Sequence, residues 1–243
     1  MARSINQGYK PETLSKIIRQ LKDEIAAQVE RITAGQFTKV AISTGNRKIG
    51  RVLNVSLAPI ITCGDGCKEC KCYCYDVKAC LQYGNVRNAR ARNTALAIHN
   101  RKEFFGQIVA KLSRTRNQFF RWHVSGDILD SDYFGNMVRI AEEFPAITFW
   151  TYTKQYAVVN RWIDENGNLP ANLHIMFSQW KVRTESGKII PIPFPNPHNM
   201  PVFTVRFEEE EIPQMFKCPG NCDICKSNHC GCIAGQSTYN DAH

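Results

Sequence analysis

All eleven cysteines of this 243-residue chain fall in two short runs. The first begins with Cys-Gly-Asp-Gly-Cys-Lys-Glu-Cys-Lys-Cys-Tyr-Cys at residues 63–74, the first cysteine loop, and ends at Cys80; the second occupies residues 218–232, the second cysteine loop. Thiols so crowded, with Gly, Pro and Asp between them, suit loops that fold around a soft metal. Thiolate sulfur selects zinc or iron–sulfur clusters over hard cations. The sequence therefore predicts two metal centres.

A disulfide framework is the alternative interpretation of these cysteines. Residues 1–6 lack the apolar core of a signal peptide, and no run of the sequence is apolar enough to span a bilayer. We therefore expect a cytoplasmic protein without a membrane partner, whose thiols meet a reducing environment that disfavours disulfides. An odd number of cysteines also cannot pair completely. Metal ligation is the favoured interpretation.

Three segments are predicted from the patterning of the chain: a helical segment at 1–36, an alternating strand and helix region at 37–207, and a cysteine-rich metal-binding tail at 208–243. With 43% hydrophobic and 22% charged residues, the chain can bury a substantial core without cross-links. Apolar residues recur at helical spacing over residues 11–33, with Pro11 in the first turn and Gly35 after the last. This helix is expected to serve packing rather than chemistry.

Short apolar segments alternate with amphipathic ones through the middle region. The predicted strands are 38–43, 51–57, 119–124, 147–152, 173–177 and 202–207. The predicted helices are a long basic region at 86–115, then 133–144 and 157–163, and residues 189–201 are expected to be a loop. Such alternation implies right-handed crossovers and a parallel sheet. The predicted fold class is α/β, with mostly parallel strands, an N-terminal helix and a cysteine-rich C-terminal extension.

The net charge of +9 is concentrated in one region, residues 87–121. Glu103 is the one acidic residue of this region. Its basic residues are Arg87, Arg90, Arg92, Arg101, Lys102, Lys111, Arg114, Arg116 and Arg121. A stripe of this kind can bind a nucleic acid backbone or a small anionic substrate. The same pattern is typical of a solvated helix face, and the sequence leaves these interpretations open.

The first cysteine loop has a spacing that carries chemical information. Cys63, Cys67 and Cys70 read C-x3-C-x2-C and follow a predicted strand. Three thiolates hold three irons of a [4Fe–4S] cluster and leave the fourth iron open to a small molecule. Cys74 extends the spacing to C-x3-C-x2-C-x3-C, and four thiolates would close a zinc or cluster site. Both ligand sets remain open at this stage.

This loop resembles that of the radical S-adenosylmethionine (SAM) superfamily. In that family the cluster loop follows the first strand of a partial (β/α) barrel, and the open iron binds the amino and carboxylate groups of SAM before cleaving it to begin radical chemistry. The resemblance implies a partial (β/α) barrel, a [4Fe–4S] cluster, bound SAM and an electron donor as partner. One departure is Glu69, which stands where the superfamily usually has an aromatic residue before its third cysteine.

Polar residues at the ends of later strands fit the same resemblance. Ser125-Gly126-Asp127 stands where radical SAM proteins often carry a Gly-Gly-Glu-like turn that binds the SAM amino group. Lys154 would pair with a carboxylate, and Ser178 would meet the ribose or the SAM carboxylate. Each is alone an ordinary turn residue, but the carboxyl ends of parallel strands meet at one edge of a sheet. The predicted SAM-binding residues are Ser125, Gly126, Asp127, Lys154 and Ser178.

At a finer level the chain is similar to the phage gene-product-88-like domain family, from about Thr44 to the C-terminus. The resemblance rests on the segment Val-Ser-Leu-Ala-Pro-Ile-Ile-Thr-Cys at 55–63, on the cysteine-rich tail ending in His, and on four shorter matches. These are Cys74-Tyr75, Tyr83 with Val86, Ser125-Gly126-Asp127 and Tyr152-Thr153-Lys154. The family usually reads Cys-Tyr-Ala where this chain has Asp76 in third place. The resemblance implies a phage or mobile-element protein and supports architecture more than activity.

The family resemblance also indicates which cysteines of the first run belong to the family pattern and which are additional. It implies cysteine at positions 63, 67, 70 and 74, and it leaves Cys72 and Cys80 as extras. In the second cysteine loop, Cys218, Cys222 and Cys225 repeat the C-x3-C-x2-C spacing.

Either Cys230 or Cys232 can supply a fourth ligand to the second cysteine loop, with His229 and His243 as further candidates. Radical SAM enzymes often hold an auxiliary cluster in a C-terminal cysteine set, so a second [4Fe–4S] cluster is one interpretation. A structural zinc site that holds the tail is the other. With either metal, the second loop is predicted to be mainly structural.

Three functions remain in competition. The leading hypothesis is an iron–sulfur enzyme resembling radical SAM proteins, acting on an unidentified substrate. The alternative is a non-catalytic, zinc- or cluster-stapled protein that binds nucleic acid through its basic region. The third is a redox or sulfur-handling cluster protein without SAM. Only the first requires both an open iron and SAM binding.

Overall fold

An eight-stranded sheet organises the part of the protein that the structure, a computed structural model, describes: residues 8–46, 49–64 and 68–241. Its strands are β1 (Ile42–Ser43), β2 (Leu53–Val55), β3 (Phe119–Trp122), β4 (Thr148–Thr153), β5 (Leu173–Ser178), β8 (Val202–Arg206), β9 (Phe216–Lys217) and β10 (Thr238–Asp241). Strands β6 (Lys181–Arg183) and β7 (Ile189–Pro191) form a separate hairpin. The sheet order is β1-β2-β3-β4-β5-β8-β10-β9.

Helices fill the connections between these strands. They are α1 (Pro11–Thr33), α2 (Lys68–Lys71), α3 (Tyr75–Gln82), α4 (Gly84–His99), α5 (Arg101–Leu112), α6 (Ser131–Glu143), α7 (Tyr156–Asn166) and α8 (Cys222–Asn228), with a 3-10 turn at Gly231–Ala234. Among the described strands of the sheet only β1 pairs antiparallel, and β2 to β5 follow one another in chain order. Right-handed crossovers in such an order place the connecting helices on one face. The predicted mostly parallel α/β class and N-terminal helix are confirmed.

The main hydrophobic core lies between the sheet and these helices. Phe120, Trp122, Phe149 and Phe177 are completely buried there, together with apolar residues of α5 and α6. Because side chains alternate across a strand, Phe120 and Trp122 face the helices while Arg121 between them faces the other way. Burial of each large side chain contributes on the order of 2 kcal/mol, so this face anchors the sheet.

The opposite face of the sheet is covered by the second cysteine loop. Trp150 and Met176 of the sheet pack there against Cys225, Cys232 and Ile233. The chain then returns as β10, which pairs in parallel with both β8 and β9. Along the chain, the cysteine-rich segment therefore lies between two strands of the main sheet, β9 before it and β10 after it.

Helix α1 closes the helical side of the molecule. Pro11 begins the helix, and the backbone turns at Gly35, whose φ is 71°. The buried faces of Ile17 and Leu21 pack with Ala58 and Val77, beside the first cysteine loop. The predicted helix at 11–33 is confirmed, and it begins and ends at the predicted residues.

Some predicted elements differ in extent. The predicted helix at 86–115 is two helices, because Asn100 ends α4 and its side chain accepts a hydrogen bond from the Glu103 amide at 3.2 Å, which caps α5. The loop predicted at 189–201 contains β7, whose pairing with β6 the Pro- and Asn-rich sequence conceals. The strand predicted at 38–43 is shorter and covers Ile42–Ser43. The Val40 amide donates instead to the Gln107 side chain, and the Ala41 amide donates to the Asn93 side chain.

Candidate metal centres and ligand site

The first cysteine loop leaves the carboxyl end of β2 and is held against the ends of β3 and β4. The Leu57 amide donates to the Ser125 carbonyl at 2.9 Å. The Thr62 hydroxyl donates to the Ala58 carbonyl at 2.8 Å, and the Gln155 side-chain amide donates to the Cys63 carbonyl at 2.9 Å. The sequence analysis missed Gln155, whose place after Tyr152-Thr153-Lys154 is its only signal.

Three thiols of this loop are close enough to perturb one another. Burial, then the charges of Asp127 and Cys74, and more weakly that of Cys70, raise the pKa of Cys63 to about 12. Burial and then the charge of Cys70 raise the pKa of Cys74 to about 12. A bound metal displaces the protons of such thiols, so these crowded, half-buried thiols are the donor type that zinc and iron–sulfur clusters use. Cys67, the fourth predicted ligand, lies outside the described residues.

The extra thiol Cys80 has a separate environment. It is completely buried, and its sulfur donates to the Asp76 carboxylate at 3.6 Å. Burial, followed by the charge of Asp76, raises the pKa of Cys80 to about 12. Asp76 is in turn paired with Arg90 at 3.2 Å. This thiol therefore belongs to a packed contact of α3 with α4.

Asp127 ties the end of β3 to the end of β4. Its Oδ1 accepts from the Thr153 hydroxyl at 2.6 Å and from the Ile128 amide at 2.8 Å, and its Oδ2 accepts from the Lys154 amide at 2.9 Å. Burial raises the pKa of Asp127, and these hydrogen bonds oppose that effect. An ionised carboxylate has about four acceptor sites, so one remains.

The other predicted SAM-binding residues continue this edge. Lys154 Nζ donates to the Ser178 hydroxyl at 2.8 Å and lies 5.7 Å from the centre of the Trp180 ring. Trp180 stacks on Tyr73 of the first cysteine loop, with ring centroids 6.0 Å apart. The structure thus brings Asp127, Lys154 and Ser178 together beside the loop.

Gly126 and Ser125 lie at the centre of this arrangement. Gly126 has a φ of 78°, and a Cβ there would stand 2.6 Å from the Thr62 hydroxyl and 2.7 Å from Leu57 Cβ. The Ser125 hydroxyl is buried and has no hydrogen-bond partner among the described residues. Close packing requires glycine at 126, and Ser125 keeps an unused polar group.

The thiols of the second cysteine loop also interact. Burial raises the pKa of Cys225, and a hydrogen bond and charge interaction with Cys230 raise it further. Burial raises the pKa of Cys222 to about 11; the charge of Arg121 opposes this, while Cys232 and Cys218 add to it. The five predicted thiols therefore lie near enough to interact with one another beside this face of the sheet, whereas His243 lies outside the described residues.

Tyr152 and Arg121 connect this thiol group to the sheet, and sequence analysis gave neither a role there. A hydrogen bond from Tyr152 lowers the pKa of Cys232, although burial dominates and raises it. The Arg121 guanidinium lies 4.9 Å from the centre of the Tyr152 ring. The sequence signal for their position on this face is alternation, since each stands between residues on the other face of its strand.

Across the described ranges, which omit Cys67, no group of three or more His, Cys, Asp and Glu side chains is arranged as a ready metal site. What the structure establishes is the proximity of the thiols in each loop. The predicted basic region is divided in the fold. Arg87 pairs with Glu24 at 2.6 Å, Arg90 with Asp76 at 3.2 Å, and Arg101 with Asp130 at 2.8 Å.

These features define a class: an α/β protein with a mostly parallel sheet and thiol-rich loops at one edge and on one face. A family model for Gene product 88 matches residues 17–196. The chain belongs to this phage-protein family, as its sequence motifs indicated. The match starts earlier than the predicted Thr44 and stops before the second cysteine loop.

Other comparisons add nothing to this assignment. No family match supports the resemblance to radical SAM enzymes. No curated protein and no solved structure matches the chain significantly. Within the described residues, every helix is too short or too polar to cross a membrane.

Proposed function

We propose that this chain is an iron–sulfur protein resembling radical SAM enzymes. Cys63, Cys67 and Cys70 would hold a [4Fe–4S] cluster whose open iron binds SAM, with Cys74 as the alternative fourth thiolate close to Cys63. When bound, the cluster supplies the electron for reductive cleavage of SAM, which starts radical chemistry on a further substrate. An external electron donor is then required as a partner.

One observation carries this proposal: the cysteine loop and the polar strand ends share one edge of the sheet. The charge of Asp127 is close enough to raise the pKa of Cys63, and Gln155 holds the Cys63 carbonyl at 2.9 Å. Ligands of open α/β sheets bind at the carboxyl ends of strands. A small molecule bound at the cluster would meet these side chains directly.

Each polar residue has a distinct role in binding. Lys154 offers a cation to the SAM carboxylate, and Ser178, 2.8 Å away, orients that ammonium group. The remaining acceptor site of Asp127 suits the SAM amino group, while its other contacts position the backbone of Lys154. The unused hydroxyl of Ser125 provides a further donor.

The order and direction of the strands support the same proposal. Strands β2 to β5 and β8 lie side by side, in parallel and in chain order, with α5, α6 and α7 packed on one face. A sheet wound in one direction in this way is the arrangement of a partial (β/α) barrel. We propose that the sheet is such a partial barrel, with the first cysteine loop after its first parallel strand.

The donor chemistry fits the proposed cofactors. Both loops present half-buried or buried thiols that interact with one another. In the second loop these thiols suit either a second [4Fe–4S] cluster or zinc, and Cys218, Cys222, Cys225, Cys230 and Cys232 are the proposed ligands. The alternative function, a non-catalytic nucleic-acid-binding protein stapled by zinc or a cluster, would rest on the exposed cations at 102–116.

The experiment that tests the proposal combines metal analysis with SAM binding on anaerobically purified protein. Iron and sulfide in equal amounts are expected, with SAM binding detected by calorimetry. The Cys63→Ser variant should lose the first cluster and weaken SAM binding at least about tenfold, since the iron that anchors SAM is gone. It should keep the metal of the second loop.

The matched control is Cys72→Ser, which removes a thiol of the same loop outside the C-x3-C-x2-C spacing. It should retain the iron and SAM binding of the parent protein. Stoichiometric zinc without iron would reject the proposal in favour of the stapled alternative. Iron without SAM binding would instead indicate a redox or sulfur-handling protein.

A further inference from the structure

Two segments of the chain that pack together carry only basic charges. Residues 36–51 include four basic residues and residues 104–118 include three, and neither segment has an acidic one. Two of the first four, at positions 47 and 48, lie outside the described residues. Gln107 of α5 joins the segments, because its side-chain amide donates to the Thr38 carbonyl at 2.9 Å and its side-chain oxygen accepts from the Val40 amide at 2.8 Å. Like charges of both segments are therefore brought to one side of the molecule.

The first segment places an aromatic ring and a cation at the surface. Exposure alternates along it, as in a strand: Thr38 and Val40 are buried, whereas Phe37 and Lys39 are exposed. Phe37 and Lys39 therefore project on the same side. Phe37 is 73% exposed, the highest value among the large apolar side chains of the described residues. Its ring contributes little to the packing of the folded chain.

Exposed cations continue this surface along α5. Lys111 and Arg114 are spaced i+4 and i+7 from Gln107, which places the three side chains on one face of the helix. The helical turn extends past the end of α5, because the Arg114 amide donates to the Lys111 carbonyl at 3.3 Å. Arg116 follows two residues later in the connection to β3, and all three cations are exposed.

No ion pair neutralises these cations within the described part of the chain. The unpaired residues are Lys39, Lys111, Arg114 and Arg116. Glu103, the acidic residue of α5, lies two helical turns before Lys111, and its carboxylate accepts from the Gln107 side-chain amide at 2.8 Å. We call the surface formed by Phe37, Lys39, Lys111, Arg114 and Arg116 the α5 flank.

The α5 flank has the chemistry that binds a nucleic acid strand. Spaced cations attract backbone phosphates, and an exposed aromatic ring stacks on a base. The charges alone would suit any polyanion, whereas the ring distinguishes between them. In a duplex the bases are already stacked on one another, so a ring at the surface favours a single strand, whose bases are free to stack on it.

We propose that the α5 flank binds single-stranded nucleic acid, with phosphates at its four cations and a base stacked on Phe37. Its cations at 111–116 precede the amino end of β3, whereas the first cysteine loop leaves the carboxyl end of β2, which is parallel to β3. The surface therefore goes beyond the proposed function: it adds a partner, and it does not depend on which metal fills either loop.

The test is fluorescence anisotropy of labelled oligothymidylate and oligouridylate, about 16 nucleotides long, with the purified full-length protein. Binding to at least one strand is expected, tighter than to a duplex of the same length, and the tighter strand identifies DNA or RNA as the source. The double variant Lys111→Gln, Arg114→Gln should weaken binding at least about tenfold. It should also reduce the dependence of log Kd on log salt by about 1.4, since each phosphate contact contributes about 0.7.

The charge-matched control is the double variant Lys16→Gln, Arg139→Gln. It removes two exposed cations from α1 and α6 and should keep the affinity and salt dependence of the parent. Phe37→Leu keeps an apolar side chain but removes the ring, so it should weaken single-strand binding about fivefold with the salt dependence unchanged. Phe37→Trp should bind at least as tightly as the parent, because it restores a stacking surface.

Three outcomes would overturn the proposal: no binding to either strand, equal affinity for the duplex, or parental affinity in both Phe37→Leu and the Lys111, Arg114 double variant. All the substituted side chains are exposed, so the variants should fold like the parent. Their iron content and SAM binding should also equal those of the parent. A protein that holds zinc without iron but binds the strand would reject the proposed SAM chemistry and keep this surface.

Discussion

Gly126 has a conformation and a packing environment that exclude any other residue at the end of β3. Its φ of 78° lies in the left-handed region, and atoms of Leu57 and Thr62 occupy the place of a Cβ. This close approach brings β3 against the residues that lead into the first cysteine loop. The neighbouring Asp127 is thereby positioned to bond Thr153 and Lys154.

Replacing Gly126 by alanine should therefore lower the free energy of unfolding by more than the left-handed backbone conformation alone explains. Gly35 is the matched control, because its φ is 71° and nothing lies within 4 Å of its Cβ position. Gly35→Ala should lower the free energy of unfolding by about 1 kcal/mol. Gly126→Ala should lower it by about 2 kcal/mol more, through overpacking. Denaturant unfolding of both variants measures the difference, and equal losses would contradict the role of close packing.

At the scale of elements, strands β9 and β10 convert the cysteine-rich tail into part of the sheet. The Cys218 amide donates to the Tyr239 carbonyl at 2.8 Å, and β10 pairs with β8 over Thr238–Asp241. Between them, α8 is anchored by Asp223, whose carboxylate accepts from the Arg51 amide at 3.4 Å. Loss of order in this loop would expose Trp150 and Met176.

The Cys225→Ser variant should consequently destabilise more than the tail itself. Cys225 is buried in α8, and its thiol is hydrogen-bonded to that of Cys230. Its replacement therefore removes a proposed metal ligand and a packed side chain. We expect a decrease in unfolding free energy of at least about 2 kcal/mol, or a melting temperature lower by about 5 °C, because metal binding contributes to folding. Proteolysis should become faster after residue 206.

Ser227→Ala provides the control for this variant, since it alters an exposed side chain of the same helix. It should retain metal and melt like the parent protein. If Cys225→Ser also retains metal and melts with the parent, the second cysteine loop is not the structural centre that we infer.

For the molecule as a whole, the net charge is +9, and part of the basic region is paired with carboxylates in the fold. Arg87, Arg90 and Arg101 pair with carboxylates on α1, α3 and the start of α6. One basic group is instead kept neutral: burial, and then the charge of Arg121, lower the pKa of His123 to about 3. Its Nε2 lies 3.0 Å from the Tyr133 hydroxyl, and its Nδ1 lies 3.4 Å from that of Thr151.

This neutral histidine predicts a loss of stability in acid. The unfolded chain binds the proton near pH 6.5 and the folded one only near pH 3, so stability is present above the unfolded pKa and falls as the pH decreases between them. Between pH 7.5 and 5.5 the parent should lose about 1.4 kcal/mol more than a variant without this group. His123→Asn is that variant, because asparagine tolerates the φ of 51° at this position. Parallel pH dependence of unfolding in the two proteins would contradict this assignment.

Local patterns in the sequence were sufficient for α1, for strands β1 to β5 and β8 of the sheet, and for the family. The spacing of apolar residues predicted α1, and the strand and helix pattern predicted α6, whose N-cap Asp130 accepts from the Tyr133 amide at 2.8 Å. Alternation of strands and helices predicted the parallel sheet, and motifs such as Ser125-Gly126-Asp127 indicated Gene product 88. These signals are local, since each depends on residues a few positions apart.

Only the tertiary structure decided which residues meet across the chain. The thiols of residues 218–232 reach the sheet face because β10 inserts beside β8, a pairing that no local spacing encodes. Arg121, read in the sequence as one member of a basic stripe, faces Tyr152 and the second cysteine loop because its neighbours bury themselves on the other side of β3. Sequence spacing determined which groups can act as metal ligands and caps, whereas long-range strand pairing and side-chain alternation decided where those groups converge.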